Sequence, residues 1–234
     1  MNNYNDNKAK GKNAVKNAFE KMQNSTFDLR RDGRGDIILA VTNASILWPN
    51  FSGTPSPKSK YKNSTKRSFN IVIPEVMTLN DGTTVSVSDL AAGGWNIRNI
   101  PLDYEVRDDG IQVYYFNVTV NMDFYKEPVV RTFNTLNGKK YTVDLHGGDV
   151  SRLDSDIRDG FVTNIDVEVK GNPRNDADVK PGEPIPCTVY MNKLYAITEP
   201  QSTWDDDEKY RGWADSKNVT DDEIIDEVIG SRAN

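Results

Sequence analysis

Little in this sequence suits ordinary catalytic chemistry. Its 234 residues include one cysteine, Cys187, and one histidine, His146. A single thiol excludes any disulfide within the chain and suits a reducing compartment. Zinc sites of the finger or ribbon kind need more Cys and His than this. A lone histidine ahead of two glycines, His146-Gly147-Gly148, reads as a loop residue rather than a general base. Cys187 falls in a strand pattern, where a small buried thiol is the expected fate. Phosphate-cradling and dinucleotide-binding glycine motifs are absent. So are long apolar runs: nothing approaches the length that crosses a bilayer, and no charged-then-apolar signal pattern opens the chain. A protein of the cytoplasm, not an enzyme and without cofactor, metal or membrane association, is expected.

Some motif matches fail on inspection. Asp154 to Gly160 superficially resembles a calcium loop, but Arg158 occupies a ligand position and Ile165 stands where the bidentate glutamate belongs. Arg34-Gly35-Asp36 matches a cell-adhesion triplet, and Asn43 and Asn117 open glycosylation sequons. Both need a secretory route that the sequence gives no sign of. Carboxylates are plentiful, so a metal-dependent nuclease stays open by counting alone.

Charge is what the sequence does have, and it is unevenly placed. Residues 1–70 carry 13 Lys+Arg against 5 Asp+Glu, residues 71–200 carry 12 against 20, and residues 201–234 carry 4 against 10. The first two segments cancel, so the net charge of -6 equals that of the last. A basic front and an acidic end suit a chain whose tail competes with an anionic ligand for one cationic surface. In the tail, Trp204, Trp213 and the Ile224, Ile225, Val228, Ile229 patch accompany the acids, the mixture a docking segment requires.

The middle of the chain reads as strands. Asp36 to Trp48 is a long β-branched run with a bend expected at Asn43. Arg67 to Ile73, Ile111 to Asn121, Phe161 to Val169 and Ile185 to Thr198 follow, with a hairpin at 129–145 turned by Asn137-Gly138. Short helices are expected at Val87–Ala92, capped by Ser86 or Ser88, and at Val150–Ile157. Lys12 to Met22 has weak helical spacing. Many strands and few helices give a β-dominated fold, an oligonucleotide-binding (OB) type barrel with inserted hairpins and one or two short helices. A β-sandwich shares the same pattern. The expected division is a flexible basic arm at 1–35, the barrel domain at 36–200 and the acidic tail at 201–234.

Between the first two strands lies a loop rich in Gly, Pro and Ser. It carries Lys58, Lys60, Lys62, Lys66 and Arg67, interleaved with Trp48, Phe51, Tyr61 and Phe69. Cations hold a phosphate backbone and aromatic faces hold bases, so this composition is the one that single-stranded nucleic-acid binding needs. Trp95 and Arg98 in Gly94-Trp-Asn-Ile-Arg98, and Tyr115, which faces opposite to Tyr114 and Phe116, complete the candidate binding set. Each of the aromatics has a core reading beside the binding one.

The order of these pieces carries a resemblance. Phe51-Ser-Gly53, a Lys-Tyr-Lys loop, Arg67-Ser-Phe-Asn-Ile-Val-Ile-Pro74, Gly94-Trp-Asn-Ile-Arg98, the strand 111–121 and the Leu-Tyr-Ala-Ile ending of the last strand resemble bacteriophage single-stranded DNA-binding proteins with an OB fold and an acidic tail. The likeness covers about residues 37–200, and the tail in character only. It implies sequence-independent, cooperative coating of single-stranded DNA in phage replication and recombination, in the cytoplasm of the host cell. Residues 201–234 would recruit phage or host replication and recombination proteins, and self-association is compatible with this. The competing reading is a structural β protein, a virion component or assembly adaptor that uses the basic loop as an interface.

Overall fold

The computed structural model describes residues 2–55, 65–102, 110–123, 126–136, 139–174 and 179–198. Lys58, Lys60, Tyr61 and Lys62, the Asn137-Gly138 turn and the tail 201–234 lie outside the described residues. No helix among those described is long and apolar enough to cross a membrane.

A bent strand organises the barrel. Strands β2 (Ile37–Thr42) and β3 (Ile46–Asn50) are separated by a three-residue turn in which Asn43 takes a left-handed φ of 53°. Asparagine tolerates that conformation because its short amide bonds locally. Here its backbone N–H donates to the Asp166 carboxylate at 2.8 Å. The bend expected at Asn43 is therefore present, and it lets one length of chain serve two sides of a sheet.

On one side β2 pairs with β11 (Val162–Pro173), which pairs with β12 (Cys187–Thr198). On the other, β3 pairs with β4 (Arg67–Ile73), which pairs with β8 (Gln112–Val120). The ring closes where β12 meets β8 in parallel, through the single pair Tyr190 and Thr119. Five barrel strands in Greek-key order, with a narrow seam, constitute the OB architecture expected from sequence. The interior is filled by the inward alternates, among them Leu39, Ile71, Phe116, Val118, Val169 and Leu194, all buried.

Additions surround this ring. β7 (Ile97–Pro101) pairs beside β8. A hairpin of β9 (Val129–Leu136) and β10 (Lys139–Asp144) extends along the second half of β12. A small sheet of β5 (Val76–Thr78) and β6 (Thr84–Ser86) precedes α2 (Val87–Ala92), capped by Ser86 and Asp89 in a reciprocal capping box. Helix α3 (Arg152–Arg158), entered through a 3-10 turn at Asp149–Ser151, packs Leu153 into the barrel core.

Part of the stretch set apart by sequence as a basic arm is built into this structure. β1 (Thr26–Arg31) pairs with β2 over six positions. Helix α1 (Asn2–Met22) is longer than its weak periodicity suggested, and it buries Val15, Ala18 and Met22. That i, i+3, i+7 stripe covers Leu47, Val72 and Val113 on the outside of β3, β4 and β8. An isolated helix of this composition is marginal, so the packing is what holds it. The Ser45 hydroxyl also donates to the Ala18 carbonyl at 2.6 Å in a buried contact.

Candidate nucleic-acid interface

Strand register assigns each side chain to a face. Two residues of β3, Trp48 and Pro49, stand opposite the single residue Phe69 of β4, because pairing jumps from Leu47–Asn70 to Asn50–Ser68. This bulge inserts one residue and so inverts the alternation beyond it. Unbroken alternation from Ile46 would send Trp48 inward and Phe51 outward. With the bulge, Trp48 turns out, 45% exposed, and Phe51 is wholly buried.

Trp48 takes a left-handed backbone, φ 49°. That region is costly for a bulky residue, and strain of this kind concentrates at functional sites. Its ring meets Tyr115 edge-to-face, with centroids 5.5 Å apart and planes at 87°. Tyr115 lies opposite Val72 on one neighbour and Arg98 on the other, which puts Arg98, exposed, on the same outer face.

Beside this pair the face is polar and uncharged. Asn70 and Asn117 are directly opposite each other. The Asn117 amide donates to Asn70 Oδ1 and to the Phe69 carbonyl, each at 3.3 Å, while Asn70 donates to the Leu47 carbonyl at 3.2 Å. Ser68 and Thr119 form the next pair along. No Asp or Glu occurs anywhere in β3, β4, β7 or β8, which carry Arg67 and Arg98. Lys66, exposed, and Arg67, half-buried, stand where the basic loop enters β4. Asp28 and Glu168 share a different face, that of β1, β2 and β11, where Glu168 pairs with Arg30 at 2.8 Å.

The root of the basic loop is anchored. Asp154, in the first turn of α3, accepts the backbone N–H groups of Phe51 and Ser52 at 2.7 and 2.8 Å. This ties the loop's first residues to α3, across more than a hundred positions of sequence.

Three expected binding aromatics are core residues instead. Phe51 and Phe69 stack on each other inside the barrel, with centroids 5.3 Å apart, both fully buried. Phe69 is inward because it shares the alternation of Ile71 and Ile73. Trp95, 2% exposed, packs edge-on against Phe116 at 4.9 Å. Gly94 makes this insertion feasible: its φ is 85°, and a side chain there would strike the Ile185 carbonyl. Thus Trp48, Tyr115, Arg98 and Lys66 of the expected set occupy or border one outer surface, and Phe51, Phe69 and Trp95 do not; Arg67, opposite the buried Val120, has the inward phase of Phe69 at the rim of the barrel.

Two residues that sequence reasoning left out of the set, Asn70 and Asn117, lie at its centre. The signal for them was the polar phase of each strand, Ser68-x-Asn70 and Asn117-x-Thr119. His146 and Cys187 have separate partners: His146 Nδ1 lies 2.9 Å from Glu127, which holds the imidazole pKa above its ordinary value, and Cys187 Sγ contacts the Gly93 carbonyl.

No family model matches the chain, and no curated protein does. Among solved structures it is similar to a single-stranded DNA-binding protein from bacteriophage Enc34, a C-terminal truncation. The TM-score is 0.34 at 7% identity, over 75% of this chain and 96% of that one. A likeness this remote carries no functional weight.

Proposed function

We propose that this chain is a non-catalytic protein that binds single-stranded DNA without regard to sequence, along the part of the outer face of β4 and β8 that α1 leaves uncovered. One observation carries the reading: a surface to which β3, β4, β7 and β8 contribute no carboxylate joins an outward, backbone-strained Trp48 and Tyr115 to a row of amides and hydroxyls, with cations at its margin. The physics of each part is separate. Aromatic faces stack on any base, each worth about 1–3 kcal/mol. Arg98 and Lys66 attract phosphates and release counterions. Beyond the bonds they make to each other and to the backbone, the Asn117 amide oxygen and the second Asn70 N–H give an acceptor and a donor for base edges. In an OB barrel, the face of its second and third strands is the one that receives oligonucleotides, and here those strands are β4 and β8.

The biological setting follows from the same reading. A sequence-tolerant binder protects and organises exposed single strands during replication and recombination. The acidic segment 201–234, with its tryptophans and aliphatic patch, is suited to recruiting partner proteins.

The test is a titration with oligo-dT across a salt series, followed by tryptophan fluorescence. Trp48 is exposed and should quench, whereas Trp95 is buried. Affinity should fall with salt by about 0.7 in log-log slope for each phosphate engaged, and duplex of equal length should bind far more weakly. Equal affinity for single and double strands, or no binding, sinks the proposal.

A further inference from the structure

Trp48 is shared by two surfaces. One side meets Tyr115 on the sheet face, and the other lines an open groove of about 920 Å3 between α1 and α3. The floor of the groove is β3, from Ile46 to Asn50. Its α1 wall includes Asn17 and Lys21, and its α3 wall includes Asp154 and Arg158. Volume of this order is that of sites holding drug-sized ligands, enough for a nucleotide.

The charges in the groove point to an anion. Among the described residues Asp154 is the one carboxylate on its lining, and both its oxygens are taken by the Phe51 and Ser52 N–H groups. Lys21 is half-buried and donates to the Thr163 carbonyl at 3.2 Å. Burial pushes its ammonium pKa below the ordinary lysine value, because desolvation disfavours the charged form, and an anion seated beside it would restore that form. The Arg158 side chain is 71% exposed and pairs with its neighbour Asp159 at 3.0 Å. An exposed pair like this is worth little and exchanges readily for a stronger acceptor.

We propose that a bound single strand does not stop at Trp48 but turns there into the groove between α1 and α3, where Lys21 and Arg158 each take a phosphate. This rests on the single-strand reading above and extends it. Trp48 then stacks a base at the corner, and α1 is a wall of the binding path rather than only a cover for Leu47, Val72 and Val113. The site is correspondingly longer than the β4–β8 face.

The experiment uses the full chain with Lys21→Gln, Arg158→Gln and the double variant, titrated with oligo-dT over a salt series and with poly-dT for occluded site size. Each single change should reduce the salt slope by about 0.7, and the double by about 1.4, with a shorter occluded site in the double. Arg34→Gln, in the turn at the far end of β2, removes the same charge and should alter neither. Thermal melting checks folding, and the exposure of Arg158 keeps that variant informative if Lys21→Gln proves unstable.

Unchanged slope and site size in Arg158→Gln and the double overturn the groove while the face reading stands. If the wild-type chain fails to bind oligo-dT, the face reading itself falls, and the groove with it. If DNA binding is unchanged but removal of residues 201–234 no longer affects it in the double variant, the groove holds the acidic tail, which also overturns the proposal.

Discussion

Trp48 and Tyr115 come from strands that are not neighbours, yet their rings meet edge-to-face across β4, 5.5 Å apart. The contact exists because the bulge at Trp48-Pro49 throws the indole outward, and the left-handed φ of Trp48 aims it at the tyrosine. A regular β3 would bury that ring. The chain therefore accepts a strained backbone at the one exposed tryptophan among its described residues, and this distinguishes a presented aromatic from one that merely lacks a place in the core.

Replacing Trp48 should separate stability from binding. Glycine adopts positive φ freely, so Trp48→Gly is expected to melt no lower than Trp48→Ala, which keeps the strain of about 1–2 kcal/mol. Both should lose affinity for oligo-dT by about 1–3 kcal/mol, the value of one stacking platform. Paired melting and anisotropy measurements check this. A Trp48→Gly protein that binds like wild type removes Trp48 from the interface.

The barrel was legible because its strands are long, β-branched and bounded by strong turn signals. Asn43 was readable as a bend, and Tyr115 as the outward member of Tyr114-Tyr-Phe116, since both follow from local rules. The facing of Trp48 and Phe51 was not. One inserted residue exchanges their faces, and nothing in Leu-Trp-Pro-Asn-Phe announces on which side of the proline the phase slips. Trp95 was hidden for another reason: its burial depends on Gly94 and on Gly171, a strand position distant in sequence. In the sequence Arg158 is only the misfit in a calcium-loop pattern, and its nearness to β3 is a product of the closed barrel.

The core aromatics should behave oppositely to Trp48. Phe69→Ala removes a buried ring stacked on Phe51 and should cost about 3–5 kcal/mol of stability. Gly171→Ala would drive a methyl group into the Trp95 indole nitrogen, costing about 1–3 kcal/mol as overpacking. In denaturant titrations both midpoints should drop, while the folded fraction binds oligo-dT as wild type does. A selective loss of binding by Phe69→Ala, with stability intact, would return that ring to the interface.

Asp154 links the basic loop to the barrel, so its removal should have two consequences. Asp154→Ala leaves the Phe51 and Ser52 N–H groups without their carboxylate, costing about 1–3 kcal/mol. Faster hydrogen exchange at those two amides is the direct readout. Affinity for oligo-dT should weaken as well, because Lys66 lies at the far end of the same loop. Unchanged exchange at both amides would mean that the loop root is held by something else.

The last prediction concerns acid. Lys170 Nζ lies 2.6 Å from Asp32 Oδ2 and 2.9 Å from Asp36 Oδ2, pinning the β1–β2 turn to β11. Hydrogen bonding from Lys170, then from the Arg34 backbone, lowers the Asp32 carboxyl from 3.8 to about 2. Its folded-state pKa is depressed, so its contribution is complete above the unfolded value of 3.8 and is lost as pH falls through about 2. The same contacts raise Lys170 above its ordinary 10.5, so its contribution is complete below that value and is lost as pH rises through the folded one. Between these limits the network is indifferent to pH, and it cannot be the source of any change in binding near neutrality. Melting temperatures of wild type and Lys170→Met should therefore run parallel from pH 5 to 9 and converge as pH falls from 4 towards 2. Curves that stay parallel down to pH 2 would show that Asp32 gains nothing from Lys170.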